Sequence, residues 1–356
     1  MTDNSGIISA FGRHNYLTEV DSNGKANPEL AESIEASPDA ATWTVKLRKG
    51  IEFHNGKTLD ADDVVASFDN HRSEESKLGA KGILKPITDI KADGKDTVVF
   101  TLDGGNADFP CILSDYHLPI LPSKDGKVAN ATDGVGCGAY KLKNFEPGVA
   151  LELERNPNYW KEDRGHFDSV KVIAIKDVVA RTSALTSGEI HAMSRCDLKT
   201  VHLLKRDASL DVKQTTGTQH YTIPLITTGA PYDDNNVRMA LKHAIDREAL
   251  VKTILRGYGE VANDHPISPA NPYFNKDLEQ RAYDPDKTKF YLKEAGLNSL
   301  KVDLSALDAA FGSAVDAAVL YKEHAAKAGI DINVVRESSD DYWSNVWMKK
   351  PWSMCY

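Results

Sequence analysis

The chain has 356 residues and a formal net charge of −9. That length allows two or three domains, and the acidic balance speaks against a nucleic-acid partner, which requires a basic patch or stripe. No apolar run reaches the ~20 residues of a membrane-spanning helix, and Met1-Thr2-Asp3-Asn4-Ser5 has neither the basic start nor the apolar core of a secretory leader.

In chain order, a first helix is expected over residues 7–17, closed by the polar turn Val20-Asp21-Ser22-Asn23-Gly24. Trp43, Val45 and Leu47 then alternate with Thr44, Lys46 and Arg48, the period-2 pattern of a strand with one buried face. Lys49-Gly50 and His54-Asn55-Gly56 turn the chain, with Ile51 and Phe53 between them. Asp60 is placed to cap a helix through Val64, Val65 and Phe68, with Asp62 and Asp63 in its first turn. Residues 87–92 and 97–102 read as a hairpin around Asp93-Gly94.

The glycine-rich run Gly134-Val135-Gly136-Cys137-Gly138 precedes a strand-like Tyr140-Lys141-Leu142. A dinucleotide loop instead follows a strand and opens a helix, so phosphate binding is rejected. Strands are expected at 149–153 and 167–175, and a helix capped by Asp177 and stopped by Ser187-Gly188. A short helix at 201–205 and strands at 211–214 and 221–226 follow. Asp233 and Asp234 stand at a helix start, where capping explains them better than catalysis, and Asp246 opens a second helix. Asp284-Pro285 opens another. Residues 300–304, 314–327 and 330–335 then read strand, helix, strand, a βαβ unit with parallel strands. The cysteines Cys111, Cys137, Cys196 and Cys355 form no Cys-x-x-Cys pair, which speaks against zinc. Most are expected to be small buried hydrophobes, with one or two disulfides left open.

Several of these runs also carry a family resemblance. TWTVKLRKGIEFHNGKTLDADDVV, from Thr42, resembles the W-x-F-x-L-R-x-G-x-x-F-H-x-G-x-x-x-x-A-x-D-V segment of the peptide-type extracytoplasmic solute-binding proteins of family 5. These are the oligopeptide, dipeptide and nickel receptors of ABC importers. Val45 stands where Phe is usual. Gly136-Cys137-Gly138-Ala139-Tyr140 resembles the family's G-T-G-x-Y, with Cys for Thr, and Arg155-Asn156-Pro157-Asn158-Tyr159-Trp160 its R-N-P-x-Y-W. Ser187-Gly188-Glu189-Ile190, Pro231-Tyr232-Asp233-Asp234-Asn235-Asn236-Val237-Arg238, Gly257-Tyr258-Gly259 and Tyr283-Asp284-Pro285 match further family motifs.

The resemblance implies an α/β chain with the two-lobed periplasmic-binding-protein fold (type II, cluster C-like) and an extra small subdomain. Lobe I would take residues 1–36 and 135–253, the small subdomain 37–134, and an incomplete lobe II 254–356. Relatives continue beyond the position of Tyr356, so the C-terminal part of the family fold is expected to be missing. The implied function is the substrate-binding receptor of an ABC importer. It would capture a peptide or similar small solute between two closing lobes and deliver it to the membrane permease. It would be a periplasmic or extracytoplasmic monomer that is not an enzyme and needs no metal or cofactor. The candidate ligand-binding residues are Tyr16, Thr215, Thr216, Thr218, His220, Tyr221, Thr227 and Thr228. The threonine-rich stretch equally fits an ordinary strand with its hydroxyls outward, and Thr227 stands where relatives carry Asn. The same fold also serves non-peptide solutes: an oligosaccharide, an opine-like compound or a metal chelate. A hydrolase is the minor alternative, in a chain with no G-x-S-x-G, H-E-x-x-H or Walker loop.

Overall fold

The computed structural model describes residues 10–215, 219–269, 271, 273–339 and 341–356. Two compact units emerge, Met1–Lys176 and Asp177–Tyr356. No helix among the described residues is long and apolar enough to cross a membrane.

In the first unit the expected helix over 7–17 is corrected. Residues 10–13 are helical and residues 14–17 are not, while 7–9 lie outside the described residues. The helix stops because the backbone of Tyr16 and Leu17 finds other partners. Leu30 and Ala31 donate to their carbonyls at 2.9 and 3.1 Å, and the Tyr16 amide donates to Glu29 Oε2 at 2.8 Å. Strands β1 (Thr18–Val20) and β2 (Ala26–Pro28) then pair around Asp21, whose Oδ1 accepts from the amides of Asn23 and Lys25.

Strands β3 (Ala31–Ala36), β4 (Thr42–Leu47), β5 (Ile87–Ala92) and β6 (Thr97–Leu102) form an antiparallel sheet in the order β3-β4-β6-β5. Helix α1 (Ala61–Arg72) covers it. The alternation in β4 buries Trp43, Val45 and Leu47 as expected, and Phe100 of β6 meets Phe68 of α1 at 5.2 Å and Phe109 at 5.3 Å, both edge-on. Residues 51–53 make only an isolated bridge, Glu52↔Thr58. Asp60 caps α1 in a reciprocal box with Asp63. Asp63, wholly buried, also accepts from Lys57 Nζ at 2.6 Å and the Ser123 amide at 2.6 Å. A two-residue turn at Asp125-Gly126 joins β7 (Ser123–Lys124) to β8 (Lys127–Val128).

The glycine run is a crossing of backbones. A Cβ on Gly136 would lie 2.1 Å from the Arg13 carbonyl oxygen, and one on Gly138 2.5 Å from the Arg13 carbonyl carbon. Only glycine lets the two chains pass. His54 holds the crossing: its Nδ1 accepts from the Gly136 amide at 3.2 Å and its Nε2 meets the Gly138 carbonyl at 3.0 Å. Strands β9 (Tyr140–Glu146), β10 (Ala150–Arg155) and β11 (Ser169–Ile173) then form an antiparallel sheet with β10 in the centre. Beyond β10, Tyr159 and Trp160 anchor to the chain start. Both bond to the Asn15 side chain, at 3.2 and 3.4 Å, and Lys161 Nζ reaches buried Glu29 at 2.7 Å.

The second unit opens with α2 (Val178–Thr186), capped by Asp177 as expected and ended at Gly188, whose φ is +77°. Asp234 caps α3 (Asn235–His243), Asp246 caps α4 (Arg247–Thr253) and Asp284 caps α5 (Pro285–Glu294). Strand β12 (Leu300–Ala306), helix α6 (Ala314–Ala326) and strand β13 (Ile330–Arg336) form the expected parallel βαβ unit. Val237, Leu241, Leu292, Leu304, Tyr321 and Ile332 fill the core, and the Tyr321 hydroxyl donates to the Leu241 carbonyl at 2.6 Å. The strands expected at 211–214 and 221–226 do not form. The first is irregular, and the second makes only isolated bridges to the end of the chain, Thr222↔Cys355 and Leu225↔Trp352. All four cysteines are free, Cys137 and Cys355 buried, Cys196 half-buried and Cys111 exposed. Burial pushes the Cys137 thiol up to about 12.

A candidate ligand-binding corner in the second unit

The corner is made by three segments distant in sequence. Residues 352–354 lie along the edge of β12 that β13 leaves open: Ser305 donates to the Trp352 carbonyl at 3.1 Å and Met354 donates to the Ser305 carbonyl at 3.0 Å. On their other side, Thr222 and Cys355 exchange amide bonds at 2.8 and 2.9 Å, and Ile226 donates to the Pro351 carbonyl at 2.8 Å. The run from Trp352 to Cys355 is therefore an inner strand in all but length. Trp352 fixes it: the indole is buried beside the Tyr321 ring at 5.6 Å, and its Nε1 donates to the Ile223 carbonyl at 3.2 Å.

The antiparallel bridge between Thr222 and Cys355 sets Tyr221 opposite Tyr356, on one face. The Tyr221 ring lies flat on Phe311, with centroids 4.2 Å apart and planes 9° apart, yet remains 42% exposed. Arg195 stacks its guanidinium over the Tyr356 ring, with Cζ 4.5 Å from the centroid, and Trp343 meets the same ring edge-on at 5.9 Å. Burial raises the Tyr221 phenol above its ordinary range while the positive charge of Arg195 pulls it down. The arrangement offers a flat aromatic shelf, a cation and hydroxyls together.

Of the residues expected from sequence, Tyr221 stands in this corner. His220, beside it, is half-buried, and Thr215, Thr227 and Thr228 are exposed on the same stretch. Thr216 and Thr218 lie outside the described residues. Tyr16 belongs to the first unit and is core: it is 2% exposed, and its hydroxyl donates to the Tyr116 carbonyl at 3.3 Å. Sequence reasoning missed Arg195, Phe311, Trp343 and Tyr356. One signal was available, since three of the five tryptophans fall between positions 343 and 352. Among the described residues no group of three His, Cys, Asp or Glu side chains is placed to hold a metal. Two shallow depressions lie elsewhere, one lined by Glu248, Val251, Lys252 and Arg256, the other by Glu32, Lys46, Arg48 and Trp160. In the second, charges are already engaged: Lys46 pairs with Glu32 at 3.1 Å and Arg48 Nε donates to the Glu29 carbonyl.

Comparison with solved structures defines the class as the periplasmic binding proteins. The DppA binding protein of Helicobacter pylori, solved with the peptide STSA, aligns over 100% of this chain and 74% of its own, with a TM-score of 0.88 and 25% identity. AgaA of A. tumefaciens R10, solved with agropinic acid, shares the fold at a TM-score of 0.84 and 22% identity, over 99% of this chain and 72% of its own. The chain belongs to the bacterial extracellular solute-binding proteins, family 5, whose profile matches residues 25–356. Among curated relatives, the dipeptide-binding protein of Escherichia coli K12 is 27% identical over 79% of this chain, and the oligopeptide-binding protein AppA of Bacillus subtilis 31% over 80%. The chain spans 57% and 54% of their lengths.

Proposed function

We propose that this chain is the substrate-binding receptor of an ABC importer, working outside the cytoplasm and handing a peptide or similar small solute to a membrane permease. The family match over residues 25–356 carries the reading. The peptide held by the Helicobacter pylori neighbour supports the ligand class. In this proposal residues 1–36 and 135–253 serve lobe I, 37–134 a small subdomain and 254–356 lobe II, and the lobes close on the solute as a hinge. Tyr221 and His220 line the ligand side, with Thr215, Thr227 and Thr228 supplying hydroxyls to polar groups of the solute. The protein acts as a monomer and turns over no substrate.

Native mass spectrometry of gently purified protein tests this. A bound solute that fragments as a peptide is the expected result. Steady-state cleavage of a peptide panel would overturn the non-enzymatic reading. The shelf of Tyr221 on Phe311 favours one second reading, a non-peptide solute with a flat or ring-shaped face. A single discrete non-peptide mass would establish it.

A further inference from the structure

We infer that the cationic patch of Arg238, Lys242, Arg247 and Arg281 in the second unit holds a phosphate-type oxyanion, with residues distinct from those of the solute corner. The inference does not depend on the receptor reading. Three observations carry it. First, the charges do not balance. Asp264 is the carboxylate that pairs with this group, and both its oxygens are taken, Oδ1 by Arg247 at 2.5 Å and Oδ2 by Arg281. Arg238 donates to the carbonyls of Tyr232 and Asp233 at 2.7 and 3.0 Å and to Asn235 Oδ1 at 3.2 Å, all neutral acceptors. Second, the half-buried Lys242 ammonium has no hydrogen-bond or ion-pair partner among the described residues. It stands four residues after Arg238 on α3, a spacing at which like charges repel. Arg247 Nη1 donates to the Lys242 carbonyl at 3.1 Å and to the Arg281 carbonyl at 3.3 Å, which gathers the arginines beside it. Third, the carboxylates at the adjoining helix starts are committed as caps: Asp234, Asp246 and Asp284 accept from the amides of Asn236, Ala249 and Asp286.

Burial lowers the Lys242 ammonium from its ordinary range, and the charges of Arg281, Arg238 and Arg247 lower it further, with no carboxylate opposing them. The dipole at the C-terminal turn of α3 favours one cation there, but it does not account for three arginines around it. A partly buried cation without a counter-charge costs free energy that a bound anion recovers. On a chain of net charge −9, this patch is a place for an anion. Arg281 spends only Nη1 on Asp264, so the rest of its fork is open beside the ammonium. A phosphate presents oxygens on several sides, enough for the ammonium and the planar fork at once. Free phosphate and a phospholipid headgroup share that chemistry.

The test uses the full chain in thermal unfolding and calorimetric titration, in phosphate-free buffer. Sodium phosphate should bind saturably and raise the unfolding midpoint beyond what sodium chloride does at the same ionic strength. Lys242→Gln should fold, because the ammonium it removes makes no bond. With the repulsion relieved, it should unfold at a higher temperature than the parent when no phosphate is present. It should also bind phosphate at least about tenfold more weakly, while Lys242→Arg should keep most of the affinity. A lysine that only supports the fold would give the opposite order of midpoints. Sedimentation with phosphatidylglycerol vesicles, against phosphatidylcholine, separates the two sources. Parent protein that sediments with phosphatidylglycerol where Lys242→Gln does not, without saturable binding of free phosphate, assigns the site to a lipid headgroup. Stabilisation that chloride matches, or equal binding of both probes by parent and Lys242→Gln, means an adventitious ion only and overturns the site. Failure of both probes to bind overturns it too, and the receptor reading stands in either case.

Discussion

The two units reach a buried core by opposite routes. In the first, most paired strands are neighbours in sequence: β5 meets β6 and β9 meets β10 across tight turns, and the pairing of β4 with β6 is the exception. In the second, β12 takes parallel β13 on one edge and the run from Trp352 to Cys355 on the other. Its pairings come from chain segments far apart. The first unit also buries charge, with Glu29 and Asp63 inside on lysine partners, whereas the second buries hydroxyls, with Tyr321 and Tyr342 donating to the carbonyls of Leu241 and Met354. The lesson is one of risk. A buried ion pair loses heavily when either partner is removed, while a buried tyrosine loses one bond.

The largest expected effects test whether each core is its own. Phe100→Ala should cost the first unit about 3–5 kcal/mol, and Leu304→Ala the second about 2–5 kcal/mol. Hydrogen exchange read residue by residue should place each loss of protection in the unit that carries the substitution. Spreading of either loss across both units would contradict the division. Next comes the buried pair. Lys161→Met strands Glu29, which also accepts from Asn15 Nδ2 at 2.6 Å and from the Tyr16 amide. It should cost about 3 kcal/mol or more in urea unfolding. Replacing both partners with apolar residues should recover much of that loss.

Acid sharpens the comparison further. His14 is buried between Arg13 and His54, and desolvation, the largest cause, holds it down at about 3. Between about 6.5 and 3 the unfolded chain therefore binds the extra proton, and the fold loses stability as pH falls through that window. One such histidine contributes a slope of up to about 1.4 kcal/mol per pH unit. Denaturation curves between pH 7 and 4 should show it, and His14→Phe should flatten them. The smallest effect expected is at the caps: Asp60→Ala in the first unit and Asp246→Ala in the second should each cost about 1 kcal/mol. The Asp60 change should be the larger, because its carboxylate also accepts from Lys57 Nζ at 3.4 Å.

Caps and hairpins were legible in the sequence because their signals are local. Asp60, Asp177, Asp234, Asp246 and Asp284 all sit where a short acidic side chain can reach a free amide, and all five cap. β4, β5 and β6 announced themselves by alternation and by Asp93-Gly94. The stretch 221–226 misled because its pattern is that of a strand while its partners lie at 351–355, and only isolated bridges result. Residues 14–17 misled because their backbone is claimed by Glu29, Leu30 and Ala31. The candidate corner was least legible. Tyr221 carried a signal in its own stretch, but Arg195, Phe311 and Tyr356 become neighbours only through pairings that no local window contains.

The inner position of Trp352 has a kinetic side. Its indole bonds to Ile223, 129 residues away along the chain. Native contacts of such long sequence separation form slowly, because the loop between them must be closed before the contact repays the lost entropy. The hairpins of the first unit close over short loops and should gain protection early in refolding. The corner of the second unit should mature late, as should the contacts of Asn15 with Tyr159 and Trp160 in the first, and the Tyr221 shelf and the Arg195 stack should be absent until residues 352–355 have docked. A stopped-flow trace of tryptophan fluorescence would then show two phases, and the slow one would report the burial of Trp352 against Tyr321.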